Sequence, residues 1–212
     1  MNENNNGRGL FYGVIGVATL IVAIIGATFA YFSVSANIAN NSDIAGSTVE
    51  LSDTTITGTL TRVTPSTVSM VPLKTTELQQ GITGEGGQQC IDANGAKVCD
   101  IYTLTIKNTS SAPVSLAGDL TITATDMTDL RWSLLKSTTS AEGATAKEVG
   151  NTEIVANELL AAETGEKTYH FVIWFNETDL EQNTQAGKSY AGTVSFTAAN
   201  GGKITAQFSS GS

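Results

Sequence analysis

An uncharged apolar run, Leu10 to Phe32 (LFYGVIGVATLIVAIIGATFAYF), sets the terms for everything that follows it. As a helix rising about 1.5 Å per residue it would extend roughly 35 Å, enough to cross a hydrocarbon core of about 30 Å. A buried core helix of that length would need polar positions on an outer face, and this run has none. It reads as a secretory signal that is removed or as an anchor that stays. Either one places the rest of the chain across a membrane. The leader MNENNNGRG offers Arg8 and the amino terminus as positive charge, so the leader stays cytoplasmic while the acidic remainder is exported. Two candidate cleavage sites follow, between Ala30 and Tyr31 and between Ala36 and Asn37, each after a small residue. The apolar run exceeds the roughly 7–15 residues of an ordinary signal core, which keeps retention as an anchor open.

The residues at the end of the run, Gly26-Ala27-Thr28-Phe29-Ala30-Tyr31-Phe32-Ser33, resemble the signal terminus of exported proteins that use a dedicated SipW-type signal peptidase. These are the TasA and camelysin-like proteins of Gram-positive bacteria. The resemblance implies cleavage after Ala30, a jelly-roll sandwich for the exported part, and polymerisation into biofilm-matrix fibres. The texture of the body is similar too, in the segments TLTIKNTSSAPVSL and GEKTYHFVIWF.

Glu3 and Arg8 cancel, so residues 31–212 keep the −9 net charge of the whole chain. That sign argues against nucleic acid and against electrostatic attachment to anionic lipid. The exported part is long enough for one domain with a real core. Three regions are expected: a signal or transmembrane helix over 1–30, an N-terminal arm over 31–46, and a β-sandwich over 47–212.

Along the body, Val49–Leu51 and Ile56–Leu60 alternate apolar and polar as half-buried strands do. Thr67–Val71 reads as another strand, ended by Pro72, and Gly81–Gly87 as a loop. Cys90 to Cys99 reads as a hairpin with Asn94-Gly95 in a two-residue type I′ turn. Pairing outward from that turn sets Asp92 opposite Lys97, Ile91 opposite Val98, and Cys90 opposite Cys99 at a non-hydrogen-bonded position, within disulfide reach. In an exported chain with only two cysteines, a structural disulfide Cys90–Cys99 is expected. Tyr102, Leu104 and Ile106 share one strand face, and Val114 to Ala124 keep one parity with Gly118 as a bulge or bend. Leu130, Trp132 and Leu134 alternate again. Residues 137–153 read as loop and Asn157–Glu163 as a short helix or turn. Lys167–Phe175 is the strongest strand, with Tyr169, Phe171, Ile173 and Phe175 on one face and Val172 and Trp174 on the other. The last two strands, Tyr190–Ala198 and Lys203–Phe208, flank an Asn200-Gly201-Gly202 turn. Short strands at short spacing predict an all-β sandwich.

Catalytic signatures are sparse. The single histidine, His170, lies inside the strongest strand, so no HExxH or three-histidine zinc site can be built. That counts against the protease activity suggested by the name camelysin. The carboxylate groups Glu50 and Asp53, Asp126 and Asp129, and Glu177, Asp179 and Glu181 lie in turns, where acids are ordinarily solvated. Asn40, Asn108 and Asn176 stand in N-x-[ST] sequons. No enzyme, metal or cofactor site is expected.

The reading is an exported structural protein of the cell surface or biofilm matrix that self-associates or joins other envelope proteins. A specific route follows from the arm. Phe32, Val34, Ala36 and Ile38 lie on one alternating face of an arm uncharged before Asp43, as a donor strand added to a neighbouring sheet requires. The alternatives are a membrane-anchored binding module and a type IV-like pilin cut between Gly9 and Leu10. The pilin reading is weakened by Val14, where bacterial pilins carry glutamate.

Overall fold

The structure, a computed structural model, describes residues 48–52, 55–64, 69–124, 126–185 and 187–210. The apolar run, both cleavage sites and the arm residues Phe32, Val34, Ala36 and Ile38 lie outside them. Among the described residues, no helix is long and apolar enough to cross a membrane.

Among the described residues, ten strands form two sheets in which every pairing is antiparallel. They are β1 (Thr48–Ser52), β2 (Ile56–Arg62), β3 (Cys99–Asn108), β4 (Val114–Ala124), β5 (Leu130–Leu135), β6 (Lys147–Glu148), β7 (Asn151–Leu160), β8 (Glu166–Phe175), β9 (Tyr190–Ala198) and β10 (Lys203–Ser209). The larger sheet has the order β1-β2-β3-β8-β5-β6 and the smaller one β10-β9-β4-β7. The described residues form the expected all-β sandwich.

The main core lies between the sheets. Period-2 alternation delivers Ile56 and Leu60 from β2, Tyr102, Leu104 and Ile106 from β3, and Phe171, Ile173 and Phe175 from β8. The smaller sheet answers with Leu116, Leu120 and Ile122 of β4 and Val194 and Phe196 of β9. Gly118 leaves the room that the Phe196 ring occupies, and β4 runs straight past β9 there. The register shifts fall instead on the β4–β7 side, where β7 carries the extra residues. The bend expected at Gly118 thus belongs to its partner strand.

A second core covers the outer face of the larger sheet. The β2–β3 connection folds back across it as a 3₁₀ turn (Thr75–Glu77), a short helix α1 (Leu78–Thr83) and the cysteine loop. Leu73, Leu78, Ile82 and Val98 from this cover pack in one cluster with Ile101, Leu135, Val172 and Trp174. Hence β8 is buried on both faces over Phe171–Phe175, and Val172 and Trp174, which the sequence allowed to be either buried or an exposed aromatic pair, are buried. Leu73 ties the cover to the end of β8, its N–H donating to Phe175 O at 2.8 Å and its C=O accepting from Glu177 N–H at 3.1 Å, and within the cover Val71 N–H donates to Lys97 O at 2.8 Å.

Four local expectations are corrected. The described part of Thr67–Val71 forms no strand; Met70 contributes only an isolated bridge to Lys97. Gly81 to Thr83 lie in α1 rather than a loop, because Leu78 and Ile82 one turn apart both reach the second core. The stretch 137–153 contains β6 and the start of β7, and Asn157 to Leu160 continue β7 as strand. The cause is shared: β7 is a bulged edge strand, so its sequence loses the period-2 pattern that would reveal it.

Candidate functional sites: a stapled hairpin, a buried charge cluster and an open sheet edge

Cys90 and Cys99 form a disulfide with a Cα–Cα distance of 4.9 Å. The hairpin that positions it differs from the expected one. Gly95 N–H donates to Asp92 O at 3.0 Å and Asp92 N–H to Ala96 O at 2.9 Å, and of the loop residues only Gly95 has a positive φ, +78°. A type I′ turn needs two positive φ values. This is a three-residue loop, Ala93-Asn94-Gly95, with glycine in the left-handed position. Ile91 therefore faces Lys97, one residue out of the expected register. Asp92 does not pair with Lys97. Its carboxylate accepts the backbone N–H groups of Asn94 at 2.9 Å and Ala96 at 2.7 Å, closing the turn from inside. Cys90 itself adopts φ +59°, and this local break brings it back beside Cys99. Cys99→Ser is expected to lower stability by about 2–3 kcal/mol without abolishing the fold, since the loop closed is short. Urea titration of oxidised wild type against the variant measures it.

Lys97, released from Asp92, enters a buried polar cluster that the sequence did not reveal. Its Nζ lies 2.7 Å from Asp100 Oδ1, and both side chains are buried. Arg62 Nε is 3.5 Å from the same oxygen. Thr64 Oγ1 donates to Asp100 Oδ1 at 3.0 Å and the Tyr190 hydroxyl to Oδ2 at 2.6 Å. Arg62 also donates through Nε to the Tyr102 hydroxyl at 3.1 Å and through a terminal nitrogen to Ser209 O. Burial lowers the pKa of Lys97 against the pull of Asp100. Burial and Asp100 raise both tyrosines, so they remain neutral hydroxyls. Two cations thus share one carboxylate. The arrangement ties β2, β3, β9 and the end of β10 together.

The remaining candidates lie apart from that cluster. His170 Nδ1 lies 2.9 Å from Thr103 Oγ1 across the β3–β8 pair, and burial lowers its pKa. Asp129 Oδ2 accepts from Gln182 at 2.7 Å and Gln185 at 2.6 Å, holding the loop before β9. Asp179 pairs with Lys74 at 2.7 Å and Asp126 with Lys188 at 3.5 Å, both at the surface. Asp53 lies outside the described residues. Among the described residues, no group of three or more His, Cys, Asp or Glu side chains is arranged to hold a metal ion.

Among the described residues, one long edge is open. β7, 10 residues long, pairs among the described residues only with β4 and ends the smaller sheet. It carries bulges and two glutamates, Glu153 and Glu158, with Glu158 bound to Lys167 at 2.8 Å. Leu159 is 71% exposed on the same strand.

No protein family description matches the chain. No curated protein matches it. Among solved structures, similarity is found to the structural-genomics target SoR45 at 12% identity, covering 76% of this chain and 89% of that one, TM-score 0.28. A Bordetella pertussis protein described as ApaA aligns at 14% identity over 73% of this chain and 90% of its own, also at TM-score 0.28. Superpositions at that score carry no argument about this chain.

Proposed function

We propose that the chain is an exported structural subunit of the cell surface or extracellular matrix, joined to its neighbours by strand addition. The observation that carries the reading is the open β7 edge on a sandwich stapled by a buried disulfide. An edge of 10 residues offers a row of backbone donors and acceptors to another strand. Pairing β7 with a second β7 would bring Glu153 and Glu158 of two copies onto one edge, and its bulges oppose a flat match. An uncharged, alternating strand suits that edge better. The arm 31–44, uncharged before Asp43 and with Phe32, Val34, Ala36 and Ile38 on one face, has that composition. In this reading the apolar run is a signal cut between Ala30 and Tyr31. Cutting frees the arm only after export, so assembly waits until the subunit is outside. The jelly-roll form implied by the TasA and camelysin resemblance belongs to the same reading. No cofactor and no nucleic acid take part.

Comparison of purified residues 31–212 with residues 46–212 by size exclusion and electron microscopy tests it. The longer form is expected to assemble and the shorter one to stay monomeric. The same behaviour from both would remove the arm from the mechanism.

A further inference from the structure

Cys90 and Cys99 both have zero exposure. They share one packed cluster with Leu78 and Ile82 of α1 and with Val172 and Trp174 of β8. Cys90 N–H donates to Gly81 O of α1 at 3.0 Å, and Val98 N–H donates to Cys90 O at 2.9 Å, so backbone as well as side chains closes over the pair. Cys99 is paired across the sheet with Trp174. This burial limits when the bridge can be made.

Disulfide formation by exchange needs two displacements. One cysteine thiolate attacks a sulfur of an oxidant's disulfide, forming a mixed disulfide and releasing one oxidant thiolate. The second cysteine thiolate then displaces the remaining oxidant sulfur, closing Sγ–Sγ and leaving the oxidant as a dithiol. Two electrons pass to the oxidant, and the two protons lost from Cys90 and Cys99 are taken up by its thiolates. The mixed disulfide requires a bulky group bonded to Cys90 or Cys99, in line with the breaking bond. Neither sulfur has open space for such a group while α1 and Trp174 are in place.

We infer that the bridge is installed before the second core closes, with the open 63–99 segment as the substrate of a thiol-oxidising disulfide catalyst. The partner is thus a protein or small-molecule disulfide that meets the chain while it is still unfolded. The order of events is oxidation first, then docking of α1 and the cysteine loop onto Val172 and Trp174. This inference stands on the burial of the sulfurs and is independent of strand addition.

The test uses the full-length chain in detergent, reduced in concentrated guanidinium and refolded without oxygen. Glutathione disulfide is then added, and loss of the first free thiol is followed by alkylation and mass spectrometry. Reaction in native buffer must wait for the cover to open, so its rate should fall at least about 100-fold below the rate in denaturant. Ile82→Ala should raise the native rate while leaving the denatured rate unchanged. A reduced chain that never regains native strand content also supports the order, since no folded dithiol then exists to be oxidised. A refolded, reduced chain that reacts within about threefold of the unfolded rate would overturn it.

Discussion

Asp100→Asn is expected to destabilise the protein by about 3–5 kcal/mol, because it leaves two buried cations without their shared anion. Arg62 at 3.5 Å and Lys97 at 2.7 Å converge on one Asp100 oxygen, and all three side chains are buried. Their desolvation has already been incurred in the fold, so removing the carboxylate charge exposes that cost in full. Lys97→Met is the informative contrast. It removes one of the two cations while Arg62, Thr64 and Tyr190 continue to satisfy Asp100, so its cost should be clearly smaller. Urea midpoints of the two variants decide the matter. Equal losses, or a loss below about 1 kcal/mol for Asp100→Asn, would mean that the cluster is not held together by its charge.

Trp174→Ala should cost a similar amount, about 3–5 kcal/mol, and should do so unevenly across the molecule. Trp174 is fully buried on the outer face of β8 and belongs to the cluster under α1 and the cysteine loop. Its removal leaves a cavity beneath that cover, whereas Phe171, Ile173 and Phe175 on the other face of β8 keep the main core. Amide exchange should therefore quicken first in Leu78–Thr83, with β4 and β9 still protected. Trp174→Phe should be mild, within about 1.5 kcal/mol, because among the described residues the indole Nε1 makes no hydrogen bond that phenylalanine would lose. If exchange rises uniformly through both sheets, the two cores are one cooperative unit and the division fails.

The parts of this fold that were legible in the sequence are those whose period-2 pattern is strong. β3, β8, β9 and β10 each send an alternating apolar row into the main core and can be read directly from it. β8 left a choice open, since Val172 and Trp174 beside Phe171 and Ile173 fitted either burial on both sides or an exposed aromatic pair. What covers it was hidden. The helix α1 has only six residues, too few for a helical period to show, and it forms because Leu78 and Ile82 find the second core. β7 was missed for the opposite reason, as its bulges break the alternation. The hairpin shows how a right pairing can rest on a wrong register. The disulfide forms, but through a three-residue loop and a left-handed Cys90 rather than a two-residue turn. The charge cluster was the hardest to foresee. Asp100 sits in an apolar strand sequence, CDIYTLTI, which hints at burial, yet its partners come from β2 and β9 and from a lysine assigned to Asp92 by the simpler hairpin.

Export and release from the membrane are the central requirement, because strand addition needs a free arm. The amino-terminal residue of the protein recovered from the cell exterior, read by peptide mass spectrometry, tests that requirement most directly. The account predicts Tyr31, produced by a cut after Ala30, and so an arm that begins immediately before Phe32. A chain that still begins at Met1 would be a permanently anchored module, one that begins at Leu10 would be a pilin-like subunit, and either result would contradict it.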